Sequence, residues 1–161
     1  MMAIPHLLVG AALGKATRRA WIACPAAFAS HFVLDRLPHI DADDLAAVIL
    51  RHDVGTIGPA AVDFLLGVGL VTWLLWGREG RGVMIAGAVC ALLPDLFGFV
   101  PPFSTAFHWL PLAVAYDRVH EWCQGDVPSQ LWFLGVAVQV AVATLAVVYL
   151  TRGKGREGGG E

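Results

Sequence analysis

The feature that most limits the fold of this chain is a set of long apolar runs, the clearest being residues 131–150 (LWFLGVAVQVAVATLAVVYL), which carry no charged side chain. A bilayer core about 30 Å thick is crossed by roughly 20 helical residues, so this run has the length of one crossing. Residues 82–100 (GVMIAGAVCALLPDLFGFV) come next, and residues 60–76 (AAVDFLLGVGLVTWLLW) form a slightly short third. Residues 20–37 make a fourth segment, interrupted by Pro25 and carrying His31 and Asp35. Residues 3–14 make a fifth, short one, with Pro5 in a favourable first-turn position. The expected fold is an all-α integral membrane protein: a compact bundle of about five transmembrane or partly inserted helices, with short interfacial helices between them.

Composition agrees, because only 15% of the residues are charged against about 25% in a soluble domain. A disordered chain, a coiled coil and a nucleic-acid binder are excluded as first readings, since they need low hydrophobicity, heptads and a strong basic excess respectively. With 161 residues the chain holds one domain, read as a helical membrane unit over 1–151 followed by a disordered Gly-rich polar tail over 152–161. Cys24, Cys90 and Cys123 form no CxxC pair and read as core or lipid-facing residues, with a ligand role for Cys123 left open by its closeness to His120. At the start of the sequence the basic residues follow the apolar run, which is the wrong flank for a cleaved signal peptide.

Lys15, Arg18 and Arg19 follow the first segment, Arg78 and Arg81 the third, and Arg152, Lys154 and Arg156 the last. These are alternate loops, so the excess of basic residues on cytoplasmic flanks predicts an outside N-terminus and a cytoplasmic C-terminus, in a cell (inner) membrane. On that topology all six histidines, and Asp35, Asp41, Asp43, Asp44, Asp53, Asp63, Asp95, Asp117, Glu121 and Asp126, fall on the opposite side. The histidines played no part in assigning the topology, and their one-sidedness points to a single polar site at the non-cytoplasmic interface. Two segments read as lying along that surface. One is a short helix capped by Asp43-Asp44; the other is a bent or two-piece element over 103–122, broken by Pro111 and set at headgroup level by Trp109 and Trp122.

The sharpest pattern runs from Ser30-His31 through Asp35 to Pro38-His39-Ile40-Asp41. His31 and Asp35 are i, i+4 on one helix face, and Pro38 ends the helix so that His39 and Asp41 can turn back toward them. Mixed nitrogen and oxygen ligands suit zinc, manganese, iron or nickel, and an ionisable pair at a membrane helix end is a functional candidate by default. The bland alternative is a structural His–Asp pair tying two helices together. Asp95 after Pro94, Asp63 near a helix start, His6 after Pro5, and His120 beside Glu121 widen the set; His52 and His108 read as surface residues.

The pieces Pro5-His6-Leu7-Leu8, Ser30-His31 to Asp41 and Leu92-Leu93-Pro94-Asp95 resemble those of small bacterial integral-membrane proteins with an SHxxxDxxPHxD motif. They are similar, more distantly, to the metal-dependent membrane hydrolases typified by a LexA-regulated inner-membrane protein of the DNA-damage response. The resemblance covers about a third of the chain in short pieces, and His6, His31, Asp35 and Asp95 match its motif positions. The family's His-Arg-Gly-x-Thr-His-Ser element is missing, and Leu-Pro-Asp follows the Ser-His helix instead of preceding it, so His39 or His120 would have to substitute.

Together these readings give a membrane-embedded metal-dependent hydrolase. Its metal set is His31, Asp35, Asp95 and one or two of His6, His39 and His120, holding zinc, manganese or iron. Glu121 or Asp63 is the candidate base, and Arg36 or Arg118 the group that binds a phosphate oxygen. The location favours a lipid or lipid-linked phosphoester, with membrane lipids and a second copy of the chain as partners and no nucleic acid. The competing reading is a non-enzymatic membrane protein, a metal-binding or structural helix bundle whose His/Asp cluster holds it together. For that reading, Gly67, Gly69, Gly82 and Gly87 are candidate close-contact positions and Gln139 a cross-bundle or dimer hydrogen bond.

Overall fold

The computed structural model describes residues 1–51, 55–100 and 102–152. His52, Asp53, Lys154, Arg156 and most of the expected polar tail lie outside them. Among the described residues the order is α1 (Ala3–Thr17), α2 (Ala20–Asp35), α3 (Ala42–Leu50), α4 (Ile57–Leu75), α5 (Arg81–Phe99), α6 (Phe103–Phe107), α7 (Ala113–Cys123), a 3-10 turn (Ser129–Leu131) and α8 (Trp132–Thr151), with no strand. The five long helices fall on the five expected segments.

Three of them, α4, α5 and α8, are long and apolar enough to cross a membrane, and α2 is a shorter apolar helix. Their outer faces carry Leu65, Leu66, Trp73, Phe133 and Leu145 exposed. Water disfavours such a belt and hydrocarbon accommodates it, so the fold is that of a membrane-associated helical bundle.

α1 is the centre, packed on α5, α2, α8 and α4. Its 15 residues extend about 22 Å, less than a bilayer core, and its N-terminal end, with Met1, Pro5 and His6 buried, sits recessed among its neighbours. Leu7, Leu8 and Ala11 form the core with Val71, Leu75, Met84, Ala88 and Leu150. α1 approaches α5 closely because glycines meet there. A Cβ on Gly10 would run into the Gly87 carbonyl and stand 2.8 Å from Ala91 Cβ, and one on Gly14 would stand 2.5 Å from Met84 Cα. Gly67 likewise admits Leu7 and Ile4, whereas Gly69 and Gly82 face open space. Of the four glycines singled out from sequence, Gly67 and Gly87 therefore serve helix contacts inside the bundle.

The two ends differ in chemistry. At one, Lys15 Nζ donates to the carbonyls of Tyr149 (2.7 Å), Leu150 (2.9 Å) and Arg152 (2.6 Å), and Arg78 donates to those of Leu74 and Leu150. These cations close the C-terminal end of α8, where orphan carbonyls and the helix dipole favour positive charge. Among the described residues the histidines, and every acid but Glu79, belong to the other end.

Asp63 does not act on its own helix start. It is buried in the second turn of α4 and accepts the backbone N–H of Ala3, so it caps the first turn of α1 from a neighbouring helix. Asp63→Ala should lower thermal stability in detergent by about 0.5–2 kcal/mol, the range for loss of a helix cap, while metal stoichiometry stays that of the wild type. A fall in bound metal without a fall in stability would return Asp63 to the site. The cap position of α3 is Asp41, not Asp43-Asp44; Asp43 instead accepts the Thr56 hydroxyl at 2.9 Å, tying α3 to the start of α4.

The segment after α5 is two pieces, as expected: α6 and α7 are joined by a turn over residues 108–112. His108 locks them together through the Ser104 carbonyl (2.6 Å) and Asp117 (3.0 Å), and both partners raise its pKa. Trp109 and Trp122 are exposed, as headgroup-level aromatics would be.

Candidate metal centre

Four helices deliver one buried cluster. His31 and Asp35 come from the last turns of α2, one turn apart on the face turned to the bundle; both are buried. Asp95 follows Pro94 in α5. A proline here breaks the backbone ladder, and nearby carbonyls are recruited from outside: Ala91 O by His31 Nδ1 (2.9 Å) and Pro94 O by the Tyr116 hydroxyl (2.7 Å). That second bond seats α7 against α5. Gly98 leaves room there for the His120 ring, whose Nδ1 would stand 3.4 Å from a Cβ at that position.

The ligand-bearing atoms converge. His31 Nε2 lies 3.0 Å from Asp35 Oδ2, 3.3 Å from Asp95 Oδ1 and 3.2 Å from His120 Nε2. His120 Nε2 in turn lies 3.6 Å from each of the same two carboxylate oxygens. Ligand atoms about 2.05 Å from a tetrahedral zinc stand about 3.3 Å apart, and adjacent ones in an octahedral set about 3.0 Å. Within this quartet the three separations from His31 Nε2 fall in that interval, and the two from His120 Nε2, at 3.6 Å, lie just outside it.

Its electrostatics point the same way. The Ala91 carbonyl only accepts, so His31 Nδ1 carries a proton and the ring is held with Nε2 toward two carboxylates; such backbone anchoring is the usual outer support of a metal-bound histidine. The ion-pair partners of Asp35 and Asp95 are histidines and the Met1 nitrogen, with no Lys or Arg among them. Acceptors packed this closely repel unless a cation or extra protons sit between them. Two groups that could hold a metal ion share His31: His6, His31 and Asp35 on one side, and His31, Asp95 and His120 on the other.

His6 supports the quartet from α1. Its ring stacks on His31 with centroids 4.1 Å apart, and its Nε2 lies 3.0 Å from Asp35 Oδ1, the oxygen turned away from His120. Its Nδ1 is buried with no hydrogen-bond partner.

Several sequence expectations are corrected in place. His39 does not turn back to His31. It is held apart, with Asp41 and Asp126, in a separate group that could hold a metal ion. Glu121, the candidate base, is exposed, because successive helical residues differ by about 100° and buried His120 takes the inward direction. Arg36 is spent on Trp122, its guanidinium 4.9 Å from the ring and Nη1 3.4 Å from the carbonyl, and Arg118 is exposed; neither joins the quartet. Cys123 is buried but belongs to none of the ligand groups. Gln139 bonds within the bundle, to Ile40 O at 2.9 Å and Met2 N at 3.0 Å. Asp126, noted from sequence only as one outer acid among many, enters the candidate ligand set.

Comparison of the chain with protein-family models, curated proteins and solved structures gives no match.

Proposed function

We propose that this protein is a membrane-embedded metal-dependent hydrolase acting on a lipid or lipid-linked phosphoester. The observation that carries the reading is the approach of Asp35, Asp95 and His120 to within 3.0–3.3 Å of His31 Nε2, with no Lys or Arg ion-paired to either carboxylate among the described residues. Zinc is the first choice for two imidazoles and two carboxylates, with manganese or iron next. The resemblance to the metal-dependent membrane hydrolases is part of this proposal. So is the orientation, with the site at the non-cytoplasmic headgroup level of the cell membrane and the C-terminus cytoplasmic.

Bound there, a divalent ion would polarise a phosphoryl oxygen and bring the pKa of water from 15.7 toward about 7. The chain's own residues do the rest. Asp35, buried and held by His6 and His31, fixes the inner wall. Asp95, with 35% of its side chain exposed, is the open side through which water and substrate arrive. Its second oxygen is the acceptor for the proton of the attacking water, whose oxygen bonds to phosphorus as the ester P–O bond breaks, and the proton then passes to the departing alcohol oxygen. Exposed Trp109 and Trp122 keep the mouth at the depth of lipid headgroups.

The test is hydrolysis of a long-chain lipid phosphomonoester and a lipid pyrophosphate in mixed micelles by zinc- or manganese-loaded protein. Phosphate release should be abolished by chelator, restored by metal, and reduced about 100-fold or more by Asp95→Asn with the fold intact. Full metal loading with no release from either lipid would overturn the hydrolase and leave a metal-binding scaffold.

A further inference from the structure

His39, Asp41 and Asp126 sit just outside the quartet, on segments built to hold them. Gly125 N donates to Asp35 O at 2.7 Å, His39 N to Gly125 O at 3.3 Å and Val127 N to His39 O at 2.9 Å, zipping the loop after α7 along the loop after α2. The zip needs a glycine, since a Cβ on Gly125 would stand 2.7–2.9 Å from the carbonyls of Leu37, Arg36 and Asp35. From the other side α8 closes in: Gly135 admits the His39-Ile40 peptide, and Gln139 bonds the Ile40 carbonyl. The resulting bridge pairs His39 with Asp126.

Within this frame His39 repeats the chemistry of His31. Its ring is fully buried, and Nδ1 donates to a backbone carbonyl, Leu37 O, at 2.9 Å. Nε2 faces Asp126 Oδ1 at 2.8 Å and Asp41 Oδ1 at 3.7 Å. Yet among the described residues Nε2 has no hydrogen-bond partner. A buried imidazole nitrogen close to two carboxylates, with a hydrogen bond to neither, is placed as a ligand. The two groups are neighbours: the Met1 nitrogen lies 3.0 Å from Asp35 Oδ1 and 3.1 Å from Asp41 Oδ1.

We infer that His39, Asp41 and Asp126 form a second divalent-cation site beside the first, on the Asp35 side. This deepens the proposed function, because the role of the second ion rests on that reading: it would bind a further oxygen of the same phosphoester. Occupancy of the site does not rest on it. With three protein ligands and two half-exposed carboxylates, the outer site keeps coordination positions open to solvent and binds more weakly than the buried quartet.

The experiment counts bound manganese by electron paramagnetic resonance in a titration of the full chain in detergent. The wild type is set beside Asp126→Asn, His39→Gln and Asp95→Asn, with helix content and monodispersity checked for each. Asp126 is half exposed, so its amide variant keeps the fold even where His39→Gln does not. The wild type should bind two ions, Asp126→Asn only the tighter one with its affinity changed less than about twofold, and Asp95→Asn only the weaker one. If wild type and Asp126→Asn bind the same number of ions with the same affinities, the outer site is refuted while the quartet stands. Conversely, loss of an ion in Asp126→Asn with none lost in Asp95→Asn supports the outer site and refutes the quartet.

Discussion

Asp35→Asn should lower zinc affinity at least about 100-fold while the protein remains a folded helical bundle in detergent. Loss of a residue that merely orients a metal ligand costs about 10–100-fold, and Asp35 is both. Its Oδ2 faces His31 and His120, and its Oδ1 faces His6 and the Met1 nitrogen. Asparagine keeps the shape but replaces one of two acceptor oxygens with a donor and removes the charge that balances three imidazoles. If the cluster were only a structural tie, the amide would still bridge two helices. Stability would then fall in the apo-protein, and zinc affinity, measured by competition with a chromophoric chelator, would stay low in wild type and variant alike. The decisive comparison is thus metal affinity against apo-stability, which the metal-centre account separates and the structural account does not.

Gly10→Val should abolish the folded bundle or shift it to an aggregated state, with the metal centre lost alongside. Overpacking a core by extra methyl groups typically costs about 1–3 kcal/mol. Here the obstruction is backbone, the Gly87 carbonyl and Ala88 Cα (2.9 Å), and neither helix can give way without moving a site residue. α1 carries His6 one turn before the contact and α5 carries Asp95 two turns beyond it, so a separated pair of helices misplaces both ends of the cluster. Gly82→Val, whose position meets open space, should leave melting temperature and metal content near wild type. Equal behaviour of the two variants in a thermal melt monitored by circular dichroism would show that the α1–α5 approach does not hold the fold.

Much of this architecture is legible in the sequence because a membrane helix writes itself as an unbroken apolar run. The fourth and fifth segments were readable only with help. Pro25 and the 15 residues of α1 violate the simple length rule, and the alternation of basic loops supplied the missing evidence of direction. His31, Asp35 and Asp95 stood out because ionisable groups at the ends of apolar helices are expensive to keep there.

What stayed hidden depends on contacts between segments far apart in the chain. That Asp63 caps α1 requires knowing that α4 passes beside Ala3. That His39 leaves His31 for Asp126 depends on the Gly125 zip, a backbone pairing across 86 residues. The inward face of α7 was hidden as well: Ala113, His120 and Cys123 are buried, but the equally apolar Val114, Val119 and Trp122 are exposed, so apolar spacing does not choose His120 over Glu121.

The most direct measurement is zinc K-edge X-ray absorption on Asp126→Asn protein loaded with less than one equivalent, so that only the quartet is populated. The account predicts four light-atom ligands at about 2.0–2.1 Å, with the multiple scattering of two imidazoles that disappears by half in His120→Gln. A spectrum of six oxygen neighbours without imidazole scattering, unchanged in His120→Gln, would contradict it.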